Sequence, residues 1–195
     1  MRCFLGFELA EASRAVLRAH VEQAHALLQQ ALPGAWRAVH PDNWHATLLF
    51  FADLDATARG EVWQAAERAA QAGTWRELRI AWQGLVPWPN LRRPTLVCLD
   101  GGAYPQAREW PLLHRMKEEP FSRGDVDRLQ SFHPHITVLR LRGKPARGAL
   151  RAAWQALASL APPPPEAIRL DRVSLFVNDL SREKPIYTRE GTAPL

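Results

Sequence analysis

Two short segments of this sequence combine a histidine with a threonine two positions further on. They are His45-Ala46-Thr47 and His135-Ile136-Thr137, and each stands inside a run of apolar residues. Because side chains alternate along a β-strand, the histidine and the threonine of each motif point to the same face of their strand. Each motif therefore presents one imidazole and one hydroxyl group together.

A pair of imidazoles is suited to opening a cyclic phosphodiester with water. One group accepts the proton of the attacking water, and the other donates a proton to the departing ribose oxygen on the opposite side of the phosphorus. An unperturbed imidazole titrates near pH 6.5, and each positioned acid or base contributes about 10²- to 10⁴-fold in rate. Threonine hydroxyls can donate hydrogen bonds to the phosphate oxygens. This scheme requires no metal and no cofactor.

A single histidine in an apolar strand is more often structural than catalytic, because a backbone carbonyl can satisfy it. Here the motif occurs twice, and a pattern of strand, helix, strand, strand also appears roughly twice along the chain. A duplication about a pseudo-twofold axis would bring both motifs to one central cleft. The repeated motif therefore favours catalysis over a structural role.

The periodicity of apolar residues predicts the elements that position these motifs. The predicted strands are Arg2–Leu9, Trp36–Val39, Trp44–Phe51, Trp75–Val86, Thr95–Leu99, His135–Leu141, Ala167–Val177 and Pro185–Arg189. The predicted helices are Glu11–Leu32, Asp55–Ala72, Tyr104–Lys117 and Ala146–Leu160. Strands in pairs favour antiparallel sheets, so we expect an α+β fold of two pseudo-twofold-related lobes with outer helices and a cleft between the lobes.

Composition limits the class of protein. The 195 residues are 47% hydrophobic, which is enough for a buried core and fits a single domain over residues 1–195. A net charge of +5 favours a polyanionic partner. Cys3 and Cys98 lie in apolar runs and are expected to be free thiols. Glu8 and Glu11 interrupt the first apolar stretch, so we expect a cytoplasmic monomer without a signal peptide or membrane segment.

The motifs and their flanks resemble those of one known group of enzymes, and the resemblance runs nearly end to end. The matching segments are Met1–Phe7, Pro41–Phe50, Arg92–Val97, Phe132–Arg140, Val173–Phe176 and Pro185–Tyr187. By these segments the sequence is identified as a member of the two-histidine phosphoesterases. It is similar in particular to the bacterial and archaeal RNA 2′,3′-cyclic phosphodiesterases, which were first named 2′-5′ RNA ligases.

The resemblance implies a role for each motif residue. His45 would donate the proton to the leaving oxygen and His135 would accept the proton of water, while Thr47, Thr137 and Arg140 would hold the phosphate. The substrate would be RNA ending in a 2′,3′-cyclic phosphate, and the product would carry a 2′-phosphate. Arg140 lies five residues beyond His135, so strict alternation would point it away from the cleft. A β-bulge or the end of the strand must redirect it.

Further interpretations stay open at this stage. Trp88, Arg92 and Arg93 form a loop that could contact RNA by stacking and by charge, although a tryptophan is more often a core residue. His133 lies two positions before His135 and would point to the same strand face. His133 and His45 could therefore instead hold a divalent metal.

Two other functions compete with hydrolysis. A ligase would join tRNA halves through a 2′-5′ bond at the same site, and an RNA-binding module would carry inert histidines. The sequence cannot separate hydrolase from ligase, because the two reactions share a transition state. Hydrolysis is favoured because water is present at about 55 M, whereas a second strand must be captured first.

Overall fold

The computed structural model describes residues 1–75, 80–102, 118–125, 133–179 and 186–195. These ranges contain eight strands and three α-helices. The strands are β1 Cys3–Leu9, β2 Trp36–Ala38, β3 His45–Phe51, β4 Gly84–Trp88, β5 Leu96–Asp100, β6 His135–Leu141, β7 Leu170–Asp179 and β8 Ile186–Pro194. The helices are α1 Glu11–Ala31, α2 Ala56–Gln71 and α3 Arg147–Ala158.

The described strands form one antiparallel sheet in the order β4-β5-β6-β3-β1-β7-β8, with β2 paired to β6. The central strands β6 and β3 pair through Ala46 and Ile136. Outward from this pair lie β5 and β1, and then β4 and β7, so the two sides of the sheet have matching positions. The predicted α+β class with antiparallel strands is confirmed. The division into two lobes and the single-domain organisation stay predictions.

The apolar core lies on one face of this sheet. The buried residues of α1 follow helical spacing at Leu17, Val21, Ala24 and Leu28, and they join one hydrophobic cluster with Cys3, Leu5 and Phe7 of β1. Phe4 is buried as well, but it lies outside that cluster. Strand β1 is therefore buried on both faces, as its sequence predicts, and its even-numbered residues face away from the main core.

Helix α2 packs against the far edge strand. A Cβ atom on Gly191 of β8 would collide with the indole ring of Trp63 in α2. Because glycine has no side chain, the ring can lie directly on the backbone of the strand. Both predicted thiols are free and buried.

Three predicted strands differ substantially from the structure in their bounds: Ala167–Val177 is Leu170–Asp179, the strand predicted to end at Arg189 continues to Pro194, and Trp75–Val86 differs most. The sequence predicts a strand over Trp75–Val86, whereas the structure has Trp75 in a buried turn against Phe7 and begins β4 only at Gly84. Strand β4 continues through Pro87 to Trp88, residues that the sequence pattern placed in a loop. Among the described strands β4 pairs only with β5, and an edge strand tolerates proline because no neighbour needs its N–H.

Some sequence predictions fall wholly or partly on residues outside the described ranges. These are the predicted helix Tyr104–Lys117 and residues 76–79 of the predicted strand Trp75–Val86. The predicted loop after that helix is described only over residues 118–125, where a short 3₁₀ helix spans Phe121–Arg123. No helix within the described ranges is long and apolar enough to span a bilayer.

Candidate active site

Each motif histidine is held by the backbone carbonyl two residues before it. The Nδ1 atom of His45 lies 2.8 Å from the Asn43 oxygen, and the Nδ1 atom of His135 lies 2.9 Å from the His133 oxygen. A carbonyl can only accept, so Nδ1–H must donate in both rings. The lone pair, or a second proton, is therefore at Nε2. Both imidazoles present the same nitrogen for proton transfer.

The two histidines lie on neighbouring central strands. Ala46 of β3 pairs with Ile136 of β6, and both side chains are fully buried. His45, Thr47, His135 and Thr137 flank this pair and remain partly exposed, on the opposite face. The structure thus brings the two predicted motifs together on one face of the sheet.

A β-bulge interrupts each motif strand at the same place. On β3 the partners Leu5–Leu49 and Gly6–Thr47 leave Leu48 without an opposite residue, and on β6 Val138 is left out in the same way. The bulge places two consecutive side chains in the core and reverses the alternation beyond them.

The bulge decides the direction of Arg140. On β5, residues Leu96, Cys98 and Asp100 alternate onto one face, and they oppose Arg140, Thr137 and His135 respectively. Arg140 therefore shares a face with His135 and Thr137, as the predicted phosphate-binding role requires. The equivalent position on β3 is Phe50, an exposed aromatic residue that opposes Phe4.

Aromatic rings surround His45. The Phe4 ring lies 4.6 Å from the imidazole, that of Phe176 lies 5.3 Å away, and that of Tyr187 meets it edge-on at 5.5 Å. Burial lowers the pKa of His45 to about 4, although the hydrogen bond to Asn43 and the charge of Glu8 act in the opposite direction. In the empty site His45 is therefore neutral at pH 7.

His135 has different neighbours. The Trp88 ring stacks on it at 4.2 Å with an interplanar angle of 19°, and the same ring meets His133 edge-on at 4.9 Å. His133 Nε2 in turn lies 2.5 Å from Asp100 Oδ1. Burial lowers the pKa of His135, and the positive charge that His133 can carry adds to this effect, while the carbonyl of His133 and the charge of Asp100 oppose it.

A cavity of about 570 Å³ is lined by Phe4 and Tyr187, two of the rings that contact His45, but not by His45 itself. It lies where β1 begins and β3 ends, and the segment 123–125 forms its other wall. Its lining carries charges of both signs, Arg2, Arg123 and Asp125, and Arg123 is paired with Glu61 and Glu119. A space of this size with aromatic walls suits a nucleoside.

The metal interpretation of His133 and His45 finds no support in these contacts. His133 is engaged by Asp100, and His45 belongs to the aromatic surroundings described above. Within residues 1–75, 80–102, 118–125, 133–179 and 186–195, no three His, Cys, Asp or Glu side chains are grouped to hold a metal ion.

Comparison with known proteins was made by sequence and by fold. The family model described as LigT-like phosphoesterase matches residues 111–187, which contain the second motif. An RNA 2′,3′-cyclic phosphodiesterase of Aeropyrum pernix is 29% identical over 155 residues, covering 77% of this chain and 81% of the relative. One of Methanothermobacter thermautotrophicus is 27% identical over 188 residues, covering 96% and 95%. The chain is thus similar to LigT-like phosphoesterases over residues 111–187, and to these two phosphodiesterases over most of its length.

Solved structures share the fold of this chain. A crystal structure of a protein of Thermus thermophilus has a TM-score of 0.55 at 20% identity and covers 100% of this chain and 98% of its own. Escherichia coli LigT in its apo form has a TM-score of 0.57 at 22% identity, covering 99% and 96%. At these identities the likeness concerns the fold.

The predicted RNA-contact residues lie in different parts of the structure. Trp88 lies against His135, in the site itself. Arg92 lines a different cavity, of about 680 Å³, together with Arg147 and Arg151 of α3. Arg93 is exposed in the turn between β4 and β5, where its backbone N–H donates to Asn90 Oδ1 at 3.0 Å. The structure does not place Arg92 and Arg93 beside the histidines.

Sequence reasoning missed two acidic residues that stand opposite the motif histidines. Glu8 of β1 opposes His45, and Asp100 of β5 opposes His135. The signal for Glu8 was present, since a carboxylate in an otherwise apolar, doubly buried strand needs buried partners. It was interpreted only as an interruption of a signal peptide. Asp100 ends its strand and gave no comparable signal.

Proposed function

We propose that this protein opens the 2′,3′-cyclic phosphate at the end of an RNA strand and leaves a 2′-phosphate, using His45 and His135 without a metal ion. The observation that carries the proposal is the matched pair of imidazoles. Both rings are fixed by Nδ1–H donation to a backbone carbonyl, so both offer Nε2 on one face of the sheet. General acid–base catalysis needs this arrangement of two proton-transferring atoms.

The reaction balances with these groups alone. His135 Nε2 accepts a proton from water as the water oxygen bonds to phosphorus. On the opposite side, His45 Nε2–H donates its proton to the 3′-oxygen as the bond from phosphorus to that oxygen breaks. The products are a 2′-phosphate monoester and a 3′-hydroxyl group. Thr47, Thr137 and Arg140 share the face of the histidines and stabilise the phosphate oxygens as charge increases there.

The low pKa of His45 fits the donor role once the substrate is considered. A neutral imidazole cannot donate from Nε2 when Nδ1 holds its only proton. The cyclic phosphate carries a negative charge, and a nearby negative charge favours the protonated imidazole. Binding therefore raises the pKa of His45 from about 4 in the empty site. An acid with a low pKa also transfers its proton readily to the departing oxygen.

The position of the aromatic cavity agrees with this assignment. The 2′- and 3′-oxygens of a cyclic phosphate belong to one ribose, so the ribose lies on the side of the group that protonates the leaving oxygen. That group is His45, and two of the rings that contact it, Phe4 and Tyr187, line the cavity together with Phe50. The terminal nucleoside would then lie in this cavity, and water would approach from the side of His135.

The relatives support the same chemistry. Both sequence relatives are named RNA 2′,3′-cyclic phosphodiesterases. Crystal structures of Escherichia coli LigT, which shares the fold, include complexes with phosphate and with 3′-AMP. A cytoplasmic monomer acting on RNA ends remains our expectation. No contact among the described residues favours ligation of tRNA halves or a non-catalytic RNA-binding role over hydrolysis.

The experiment is incubation of the purified protein with a short RNA ending in a 2′,3′-cyclic phosphate, in excess chelator, followed by ³¹P NMR of the product. We expect a 2′-phosphate at an unchanged rate with and without chelator. The matched control for the loss of a motif histidine is His25→Ala, which removes a histidine in α1 that contacts Gln29. It should behave like the wild type.

Each other outcome has a distinct meaning. Unchanged RNA would contradict the proposal and favour the binding module. Chelator-sensitive turnover would contradict its metal-free part. A longer RNA, formed when a strand with a 5′-hydroxyl is added, would show that the same site ligates.

A further inference from the structure

Glu8 is a carboxylate that the reaction itself does not use. Its side chain is only 4% exposed, and it lies directly opposite His45. Arg189 donates to both oxygens at 2.8–3.1 Å, Arg14 donates at 3.1 Å, and the Ser174 hydroxyl donates at 2.5 Å. Burial by itself would raise the pKa of Glu8, but these donors hold it below its ordinary value. Glu8 is therefore ionised and has several partners.

The two arginines extend this cluster to the turn before β3. Arg14 Nη1 donates to the Pro41 carbonyl at 2.6 Å, and Arg189 Nη2 donates to the Asp42 carbonyl at 3.1 Å. The next carbonyl in sequence is that of Asn43, which accepts from His45 Nδ1 at 2.8 Å. Three consecutive carbonyls of one turn are thus occupied, two by the arginines of Glu8 and the third by the predicted proton donor.

Apart from the two arginines, this turn is fixed by its own hydrogen bonds and by its flanks, where Val39 N–H donates to the Val138 carbonyl at 2.9 Å and Trp44 is only 2% exposed. It is a single 3₁₀ turn, Pro41–Asn43, and none of its residues is buried. Its internal hydrogen bonds run from Asn43 N–H to the His40 carbonyl and from Trp44 N–H to the Pro41 carbonyl. Such a turn keeps its shape through these bonds, but its place relative to β1 and β8 depends on contacts from outside.

We propose that Glu8 is a positioning residue for His45: through Arg14 and Arg189 it fixes the turn Pro41–Asn43, and so holds the Asn43 carbonyl against His45 Nδ1. The inference rests on the proposed function for its kinetic readout, but its structural readout is independent of any activity. Glu8 orients His45 through the turn and is not itself a proton donor or acceptor in the reaction.

At the second motif a carboxylate also lies near the carbonyl that orients the histidine, but there it contacts the residue directly, with no arginine between them. Asp100, opposite His135, lies 2.5 Å from the imidazole of His133, and the carbonyl of His133 accepts from His135 Nδ1. In the second half the carboxylate thus contacts the residue whose carbonyl orients the motif histidine, whereas in the first half Glu8 reaches, through its arginines, the two residues before it. Because each half places a carboxylate near the carbonyl that orients its histidine, although through different contacts, we do not regard the Glu8 cluster as a chance group of ions.

The test compares two arginines that have similar contacts. Arg189→Met removes the bridge from Glu8 to the Asp42 carbonyl. Arg59→Met removes a comparable bridge, since Arg59 donates to Glu190 at 2.8 Å and to the Leu54 carbonyl at 3.1 Å, away from the turn. Any general cost of losing a charged bridge on β8 should appear in both variants.

The first readout is the ¹⁵N NMR spectrum of the histidine rings, with His45 assigned by the signals that His45→Gln lacks. The wild type should show a protonated Nδ1 and an unprotonated Nε2 on His45. Arg189→Met should show a mixture of both tautomers on His45 while His135 is unchanged, and Arg59→Met should match the wild type. The second readout is kinetic, where kcat of Arg189→Met should fall about 10- to 100-fold with little change in KM.

Two results would overturn the inference. One is a wild-type His45 spectrum in Arg189→Met, and the other is an equal loss of kcat in both arginine variants. If Arg189→Met does not fold, Arg14→Lys serves instead, because it keeps the charge but cannot reach both Glu8 and the Pro41 carbonyl. It should give the same tautomer mixture, and an unperturbed His45 would again reject the role. An inactive wild type with the expected spectra would reject only the proposed function.

Discussion

The half of the site around His45 and the half around His135 share a backbone and differ in their side chains. Each has a His-x-Thr motif, a carbonyl holding Nδ1, a bulge three residues after the histidine, and an opposing carboxylate. Among the described residues, three aromatic rings surround His45, whereas a single indole covers His135. Phe50 stands where the other half has Arg140.

This comparison distinguishes the features that enable proton transfer from the features that assign the acid role to one half and the base role to the other. The shared features prepare two equivalent proton-transferring nitrogens, which alone would make the halves interchangeable. The differing features give one half the nucleoside-sized cavity and the other half the guanidinium group. We infer that the acid is on the side that receives the ribose, and that the base and the phosphate-binding arginine are on the other.

The largest expected effect is loss of either imidazole. His45→Ala and His135→Ala should each lower kcat about 10²- to 10⁴-fold on a cyclic phosphate, because each positioned proton-transfer group contributes that much. A substrate with an aryl leaving group needs no acid, so the loss in His45→Ala should shrink with such a substrate while that in His135→Ala stays. Steady-state kinetics with both substrates checks this. The reverse pattern would exchange the two roles.

Arg140→Met should have the next largest effect. Removing a guanidinium that stabilises developing charge on the phosphate is expected to lower kcat/KM by about 10²-fold. Phe50→Met, at the matching position of the other half, should leave phosphate stabilisation intact and mainly raise KM. Measured kcat and KM for both variants would sharpen the comparison. Equal effects on kcat would contradict the division of roles.

The pH profile should reflect both lowered pKa values. The active free enzyme has His45 protonated and His135 neutral, so kcat/KM falls at higher pH as His45 loses its proton and at lower pH as His135 gains one. Since the pKa of His45 is about 4 and that of His135 lies below 6.5, the optimum of kcat/KM should lie on the acid side of pH 6.5. An optimum above pH 7 would contradict these environments. The kcat profile should lie at higher pH, because bound phosphate favours protonated His45.

The smallest effect is expected for His133→Ala. This change removes the imidazole between Asp100 and Trp88 but leaves the residue 133 carbonyl that holds His135. We expect kcat to fall, but less than about tenfold, since the Asp100 contact with residue 133 is lost while its carbonyl and the base remain. A loss as large as that of His135→Ala, measured side by side, would show that His133 itself takes part in proton transfer.

Much of the fold follows from local patterns. Helix α1 and strands β1, β3 and β6 agree with their sequence predictions to within one residue, because amphipathic spacing and apolar runs are local properties. Strand β4 does not, because Pro87 and Trp88 were assigned to a loop on the strength of the prolines around them. Only the edge position of β4, a property of the whole sheet, makes a proline acceptable there.

The sequence by itself determined that two His-x-Thr pairs each share a strand face, since this parity involves neighbouring residues only. The tertiary structure decided which residues stand opposite them. The bulges at Leu48 and Val138 arise from register between strands far apart in sequence, and that register turns Arg140 toward the site and brings Glu8 to His45. Pairing register depends on which distant strands meet, so no local pattern contains it.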